Sequence, residues 1–122
     1  MSKMELIAEL KKRLAGASEI KITVTGRKSG RAITVPIWFV LDGDNLELLP
    51  VSGSDTQWYK NVLKNSELQL ETAGKRAELR AEPLTDAKQV SAVVEKFRAK
   101  YGAGDVKKYY SKFDVAVVAP MR

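Results

Sequence analysis

The chain contains neither cysteine nor histidine. Without cysteine there are no disulfides, thiolate zinc centres, iron–sulfur clusters or cysteine nucleophiles, which fits a reducing cytoplasm. Without histidine the commonest general base and metal ligand is missing, and no Ser-His-Asp triad can be built. If the protein is an enzyme, its hard chemistry falls to a bound organic cofactor. No apolar run approaches the ~20 residues that span a bilayer. The opening MSKMELIAELKKRLAG is polar and amphipathic and lacks a signal-peptide core, so the expected location is cytoplasmic. There is no internal repeat, low-complexity tract or linker, and residues 1–122 read as one domain. The carboxylates form no evident acid pair. Asp42, Asp44 and Asp55 sit in turn contexts and read as turn or cap residues, so no metal site is expected.

What is present is positive charge. The formal net charge of +6 suggests an anionic partner: nucleic acid, a membrane surface, or a phosphorylated or carboxylated ligand. The stretch 23–39, TVTGRKSGRAITVPIWF, joins two apolar strands through a short basic turn holding Arg27, Lys28, Ser29 and Arg31 between and beside Gly26 and Gly30. Glycines let a turn direct its N–H groups inward, and the basic side chains add charge, so the turn suits an anion. The same composition also describes a solvated hairpin tip. It is not a P-loop, because the glycine spacing is wrong and no helix follows.

Along the chain, Met4, Ile7, Leu10 and Leu14 recur at helical spacing, and Gly16 stops that helix, a lid or packing element. Residues 20–25 alternate as a half-buried strand. Residues 32–41 form a β-branched and aromatic run interrupted by Pro36, which marks an edge, a bulge or a break in pairing. A turn at 42–45 leads to a third strand over 46–51. Asp55 or Thr56 caps a helix over 57–64 that turns Trp58, Val62, Tyr59 and Leu63 inward. Strands over 67–72 and 76–83 meet in a tight hairpin at 73–75. The main helix, 85–100, buries Val90, Val93, Val94 and Phe97, with Asp86 and Gln89 as a capping box. A helical turn over 107–110 precedes a last strand, 113–119. About six short strands, mostly in hairpins, predict a mainly β (α+β) fold: a small antiparallel six-stranded barrel with flanking helices.

Two motifs carry a family resemblance. Thr25-Gly26-Arg27-Lys28-Ser29-Gly30, followed by Val35-Pro36 and an aromatic strand, resembles the deazaflavin (F420)-dependent nitroreductase family, as does Gln57-Trp58-Tyr59-Lys60-Asn61-Val62-Leu63-Lys64-Asn65 in its order and separation from the first. The resemblance spans residues 20–120 and implies a split β-barrel of the flavin-binding superfamily, with coenzyme F420, an anionic deazaflavin hydride carrier, as cofactor. It implies that Arg27, Lys28 and Ser29 hold the cofactor's phosphate or tail, with Arg31 supplying a charge that relatives place near Ile33. Pro36, Ile37 and Trp38 would lie along the ring, Ser52, Gly53 and Ser54 near the phosphate, and Trp58 and Asn61 in the pocket wall. Tyr109 and Tyr110 would line the substrate side and donate a proton or hydrogen bond.

On this reading the chain is an F420H2-dependent reductase passing a hydride to a small acceptor, such as a quinone, nitro compound or activated alkene. A homodimer is implied by analogy with other split barrels. Two other readings stand beside it. One is an FMN-binding split-barrel oxidoreductase using the turn for one phosphate. The other is a non-catalytic barrel that binds a cofactor as a sensor or carrier, or binds nucleic acid; the nucleic-acid form is disfavoured because the basic residues are spread among acids and both tryptophans look inward.

Overall fold

The computed structural model describes residues 2–121. In chain order these form α1 (Lys3–Ala15), β1 (Ile20–Thr25), β2 (Ala32–Ile37), β3 (Phe39–Asp42), β4 (Asn45–Leu48), a 3-10 turn (Gly53–Asp55), α2 (Gln57–Lys64), β5 (Glu67–Thr72), β6 (Lys75–Arg80), β7 (Glu82–Leu84), α3 (Ala87–Tyr101), α4 (Ala103–Tyr109) and β8 (Ala116–Pro120). The strands make two antiparallel four-stranded sheets, ordered β2-β1-β5-β6 and β3-β4-β8-β7.

This α+β architecture corrects the expected strand count and closure. The runs 32–41 and 76–83 are not single strands. Each bends once, at Trp38 and at Ala81, and crosses from one sheet to the other. Six expected strands thereby become eight, and the sheets stay separate rather than closing into one barrel. Pro36 stands on an edge strand, where its missing N–H costs no ladder bond, and its pairing opposite Lys21 is regular, without a bulge. The last strand also starts later than expected, at Ala116.

Two apolar layers follow from the alternation of side chains. Between the sheets lie Ile20, Ile22 and Val24 of β1, Leu68 and Leu70 of β5, Leu46 and Leu48 of β4 and Val117 of β8, closed by Ile7, Leu10 and Leu14 of α1 and Trp58, Tyr59 and Val62 of α2. The outer face of the second sheet is covered by α3, whose Val90, Val93, Val94 and Phe97 pack with Val40, Leu49 and Ala116. Each fully buried side chain of this kind contributes about 1.5–3 kcal/mol, so burial outweighs any single surface ion pair. Met4 and Leu63 do not join these layers. Both are exposed, because each lies on the solvent side of its short helix. The caps are local: Ser2 Oγ accepts from Glu5 N–H at 3.1 Å, and Asp86 accepts from Gln89 N–H at 3.1 Å.

One polar contact ties the second layer together. Glu47 alternates with Leu46 and Leu48 and so faces α3, where it is buried. Lys96 answers it at 3.0 Å and also reaches Asp42 at 2.6 Å. Burial alone would lower the Lys96 pKa, but bonds to Asp42 and Glu47 outweigh it and the net shift is upward. Lys96→Met should therefore destabilise the fold by about 1–2 kcal/mol, a figure moderated by the partial exposure of the lysine. Adding Glu47→Gln should recover part of the loss, and urea unfolding of the two variants measures both changes.

Candidate functional site

The β1–β2 hairpin has a different concavity at each end. At the Ile20–Ile37 end, a cleft of about 280 Å³ is lined by Glu19, Pro36, Ile37, Trp38, Leu49, Val51, Trp58, Tyr109 and Tyr110. The structure thus brings together Pro36, Ile37, Trp38, Trp58, Tyr109 and Tyr110 from three separate segments. Trp38 meets Tyr109 edge-on at 5.6 Å and Tyr110 at 6.0 Å between ring centroids. Trp58 and Tyr110 are buried, at 7% and 6% exposure. The indole N–H groups of Trp38 and Trp58 and the Tyr110 hydroxyl find no hydrogen-bond partner among the described residues. None of these three polar atoms is fully enclosed. The cleft therefore presents aromatic faces, a few unsatisfied donors and one carboxylate, Glu19.

Sequence reading missed Tyr101. It continues the buried α3 stripe one turn beyond Phe97, and that i+4 spacing was the available signal. Its ring stacks on Trp38 at 4.3 Å and 11°.

At the Thr25–Ala32 end, the turn forms a second concavity with Arg27, Lys28 and Ser29, joined by Lys64, Asn65 and Ser66 after α2 and by Arg80 of β6. Four basic residues line it and no acidic residue does. Lys64 and Arg80 were not singled out in the sequence, because they come from distant elements. Gly26 N–H donates to Arg31 O at 2.8 Å and Gly30 N–H to Gly26 O at 2.9 Å, closing the turn. A Cβ at Gly26 would press on Ser29 Oγ and Ile33 Cδ1, so a larger residue there would have to turn those side chains aside. The N–H groups of Lys28 and Ser29 are left without a partner among the described residues. Arg31 lies on the exposed side of the turn and does not line the concavity, its N–H taking Ser29 Oγ at 3.2 Å. Ile33 shares its face of β2 with Val35 and Ile37, so an apolar residue there follows from the pleat.

Arg27 and Asn61 join the turn to α2. Asn61 is buried and its Oδ1 accepts from Arg27 N–H at 3.1 Å and from the guanidinium at 2.9 Å; the guanidinium also reaches Gln57 Oε1 at 2.8 Å. The two concavities are thus linked through one helix, with Trp58 in the first and Lys64 in the second.

Ser52, Gly53 and Ser54 stand apart from the basic concavity, and their N–H groups are engaged within the protein. Ser52 N–H donates to Thr56 Oγ1 at 2.8 Å, Gly53 N–H to Pro50 O at 3.1 Å and Ser54 N–H to the Asp114 carboxylate at 3.0 Å. Ser54 Oγ adds a 2.5 Å bond to Asp114, which with the N–H bond holds that carboxyl's pKa below its ordinary value. Gly53 has φ +54°, and a Cβ there would collide with Asp114. The loop already holds an internal anion. No group of histidine, cysteine and acidic side chains suited to a metal ion occurs among the described residues.

Burial pushes the Tyr110 pKa above its ordinary 10.0, with a smaller contribution from Tyr101. The hydroxyl is therefore a hydrogen-bond donor throughout the neutral range. Its folded pKa exceeds its unfolded one, so its stabilising effect is complete below pH ~10 and is lost as pH rises beyond that value. Tyr110→Phe should flatten the alkaline fall in stability above pH ~10 while leaving stability at neutral pH little changed. Urea midpoints for both proteins on either side of that pH give the comparison, and parallel curves would contradict the assignment.

The fold resembles several solved structures. An F420-H2-dependent reductase, FDR-A, matches with TM-score 0.65 at 19% identity, covering 84% of this chain and 93% of its own. A protein solved as a domain-swapped dimer matches with TM-score 0.65 at 18% identity, over 97% of this chain and 99% of its own. HutZ, the heme storage protein of Vibrio cholerae, matches with TM-score 0.71 at 13% identity, over 96% and 91%. These likenesses establish an α+β fold of the split-barrel kind. No curated protein matches the sequence. A family model described as an uncharacterised protein conserved in bacteria matches residues 9–118, nearly the whole chain, and the chain accordingly belongs to that family, DUF2255.

Proposed function

We propose that this protein binds a deazaflavin of the F420 type along the β1–β2 hairpin and serves as an oxidoreductase toward a small acceptor such as a quinone, nitro compound or activated alkene. The observation that carries this reading is the pairing of sites on one hairpin. An aromatic cleft with unsatisfied donors lies at one end and an acid-free basic concavity at the other. The five residue steps of β1 between them span roughly 17 Å. That separation suits an extended ligand with a planar head and a long anionic tail.

The donors of the cleft fit a ring edge rich in carbonyl oxygens, and its aromatic walls fit the ring faces. Trp38, Ile37 and Pro36 would lie against the ring on one side, with Trp58 closing the wall. Lys28, Lys64 and Arg80, with the free N–H groups of Lys28 and Ser29, would hold the tail. Arg27 and Asn61 fix the turn against α2, and Ser52–Ser54 are left out of the site because Thr56, Pro50 and Asp114 already accept their N–H groups. When bound, the deazaflavin supplies a hydride to the acceptor. Tyr110, kept protonated by burial, offers its hydroxyl proton to a developing oxyanion, and Tyr109 forms the exposed lip of the same cleft. The aromatic walls exclude water from the reacting faces. The work is expected in the cytoplasm and in a homodimer, with the edge strand β2 as the available pairing surface.

FMN remains the alternative cofactor, since its ring suits the same cleft, but one phosphate does not need a concavity of four basic residues. Haem is less well supported. The chain has no histidine or cysteine, and burial opposes the phenolate that Tyr110 would need to become as an iron ligand. A nucleic-acid role is also less well supported, because both tryptophans are gathered into the cleft rather than spread along the basic surface.

Titration of the purified protein with F420 and with FMN tests the reading. Saturable F420 binding is expected, weakened about threefold to tenfold by each of Lys28→Ala, Lys64→Ala and Arg80→Ala at low ionic strength, with the differences shrinking as salt is added. Absence of saturable F420 binding would overturn it, and tight FMN binding alone would promote the alternative.

A further inference from the structure

We propose that Tyr101 is a positioning residue that assembles the mouth of the aromatic cleft, tying the segments that carry Trp38 and Glu19 through one hydroxyl. Its importance for a ligand rests on the cofactor reading above, whereas its effect on the ligand-free protein does not. Tyr101 does not itself line the cleft. Its hydroxyl accepts from Phe39 N–H at 3.0 Å and lies 2.8 Å from Ser18 O and 2.9 Å from Phe39 O. Phe39 follows Trp38, and Ser18 precedes Glu19, so each residue tied by this hydroxyl is next in sequence to a residue that lines the cleft.

Two carbonyls lie within reach of the Tyr101 hydroxyl, Ser18 O and Phe39 O. A tyrosine hydroxyl donates one proton. Ser18 O is the nearer acceptor and Phe39 O is already supplied with a proton by Lys100 Nζ at 2.9 Å, so the Tyr101 proton is assigned to Ser18 O. The hydroxyl therefore bridges Phe39 N–H to Ser18 O and couples the bend between the sheets to the chain entering β1. The ring completes the device by stacking on Trp38 and packing on Phe97 at 5.8 Å. Lys100 adds a cation over the Phe39 ring, 3.5 Å from its centroid. Burial raises the Tyr101 pKa, with the Glu19 charge adding to it, so the hydroxyl stays protonated in the neutral range. The indole plane that a planar ligand would meet is thus aimed by α3, an element outside the cleft's own strands.

Tyr101→Phe removes the hydroxyl and keeps the ring. The near-ultraviolet circular dichroism of Trp38, assigned by difference against Trp38→Phe, should lose most of its intensity in the ligand-free variant. Affinity for F420 should fall about tenfold. Leu79→Ala, which opens the core between the sheets away from the cleft, serves as a control for general destabilisation and should leave the Trp38 band intact. If Tyr101→Phe does not fold, Lys100→Met, which frees Phe39 O to compete for the same proton, should weaken the same band. An unchanged Trp38 band in the folded variant overturns the proposal, as does an unchanged affinity where the parent protein binds. If the parent protein binds no F420, the cofactor reading fails, and the ligand-free spectrum decides the role of Tyr101 alone.

Discussion

Between Ile37 and Phe39 the backbone leaves one sheet and enters the other, and β3 begins as an edge strand with polar groups that its sheet does not use on that side. Buried backbone N–H and C=O groups must find partners. At Phe39 they find them in α3: the N–H meets the Tyr101 hydroxyl and the carbonyl meets Lys100. Phe39 itself is fully buried, so the bend cannot relax outward to reach water. Trp38 is held at the apex of this bend with its ring against Tyr101, and that placement creates the cleft. The same bend splits one long run of sequence into two strands, one at the edge of each sheet.

Charge is distributed along the hairpin in the sense that a polar-tailed ligand requires. The basic concavity at its turn is lined by Arg27, Lys28, Lys64 and Arg80, whereas the cleft at its other end carries only Glu19. Several acids elsewhere are engaged: Glu47 and Asp42 with Lys96, Asp114 with Ser54, and Glu71 with Arg76. No acidic residue lines the concavity itself, and the nearest carboxylate in the ladder is that of Glu67, paired opposite Arg80.

Much of the fold was legible in the sequence because it follows from short-range chemistry. The stripe of α3, the Asp86 cap, the β5–β6 hairpin and the inward face of α2 obey periodicity and turn rules that need no tertiary knowledge. The bends at Trp38 and Ala81 were not legible, because nothing local distinguishes a strand that changes sheets from one that continues. The gathering of residues 36–38, Trp58 and Tyr109–Tyr110 around one cleft was suggested by family pattern rather than by periodicity. Lys64, Arg80 and Tyr101 escaped notice for a common reason: each acts across a distance that only the folded chain closes. The Ser52–Ser54 loop looked available for a phosphate because its partner, Asp114, lies sixty residues away in sequence.

The chain has two tryptophans, and both lie in the cleft, so their indole N–H groups give two separate reporters of its occupancy. Following those two resonances and the backbone amides of Lys28 and Ser29 by nitrogen–proton correlation spectroscopy during titration with F420 tests the central claim most directly. The account predicts that all four move together along one saturation curve, as a single ligand engages both ends of the hairpin. Movement of the turn amides alone, with both indole signals unchanged, would contradict it.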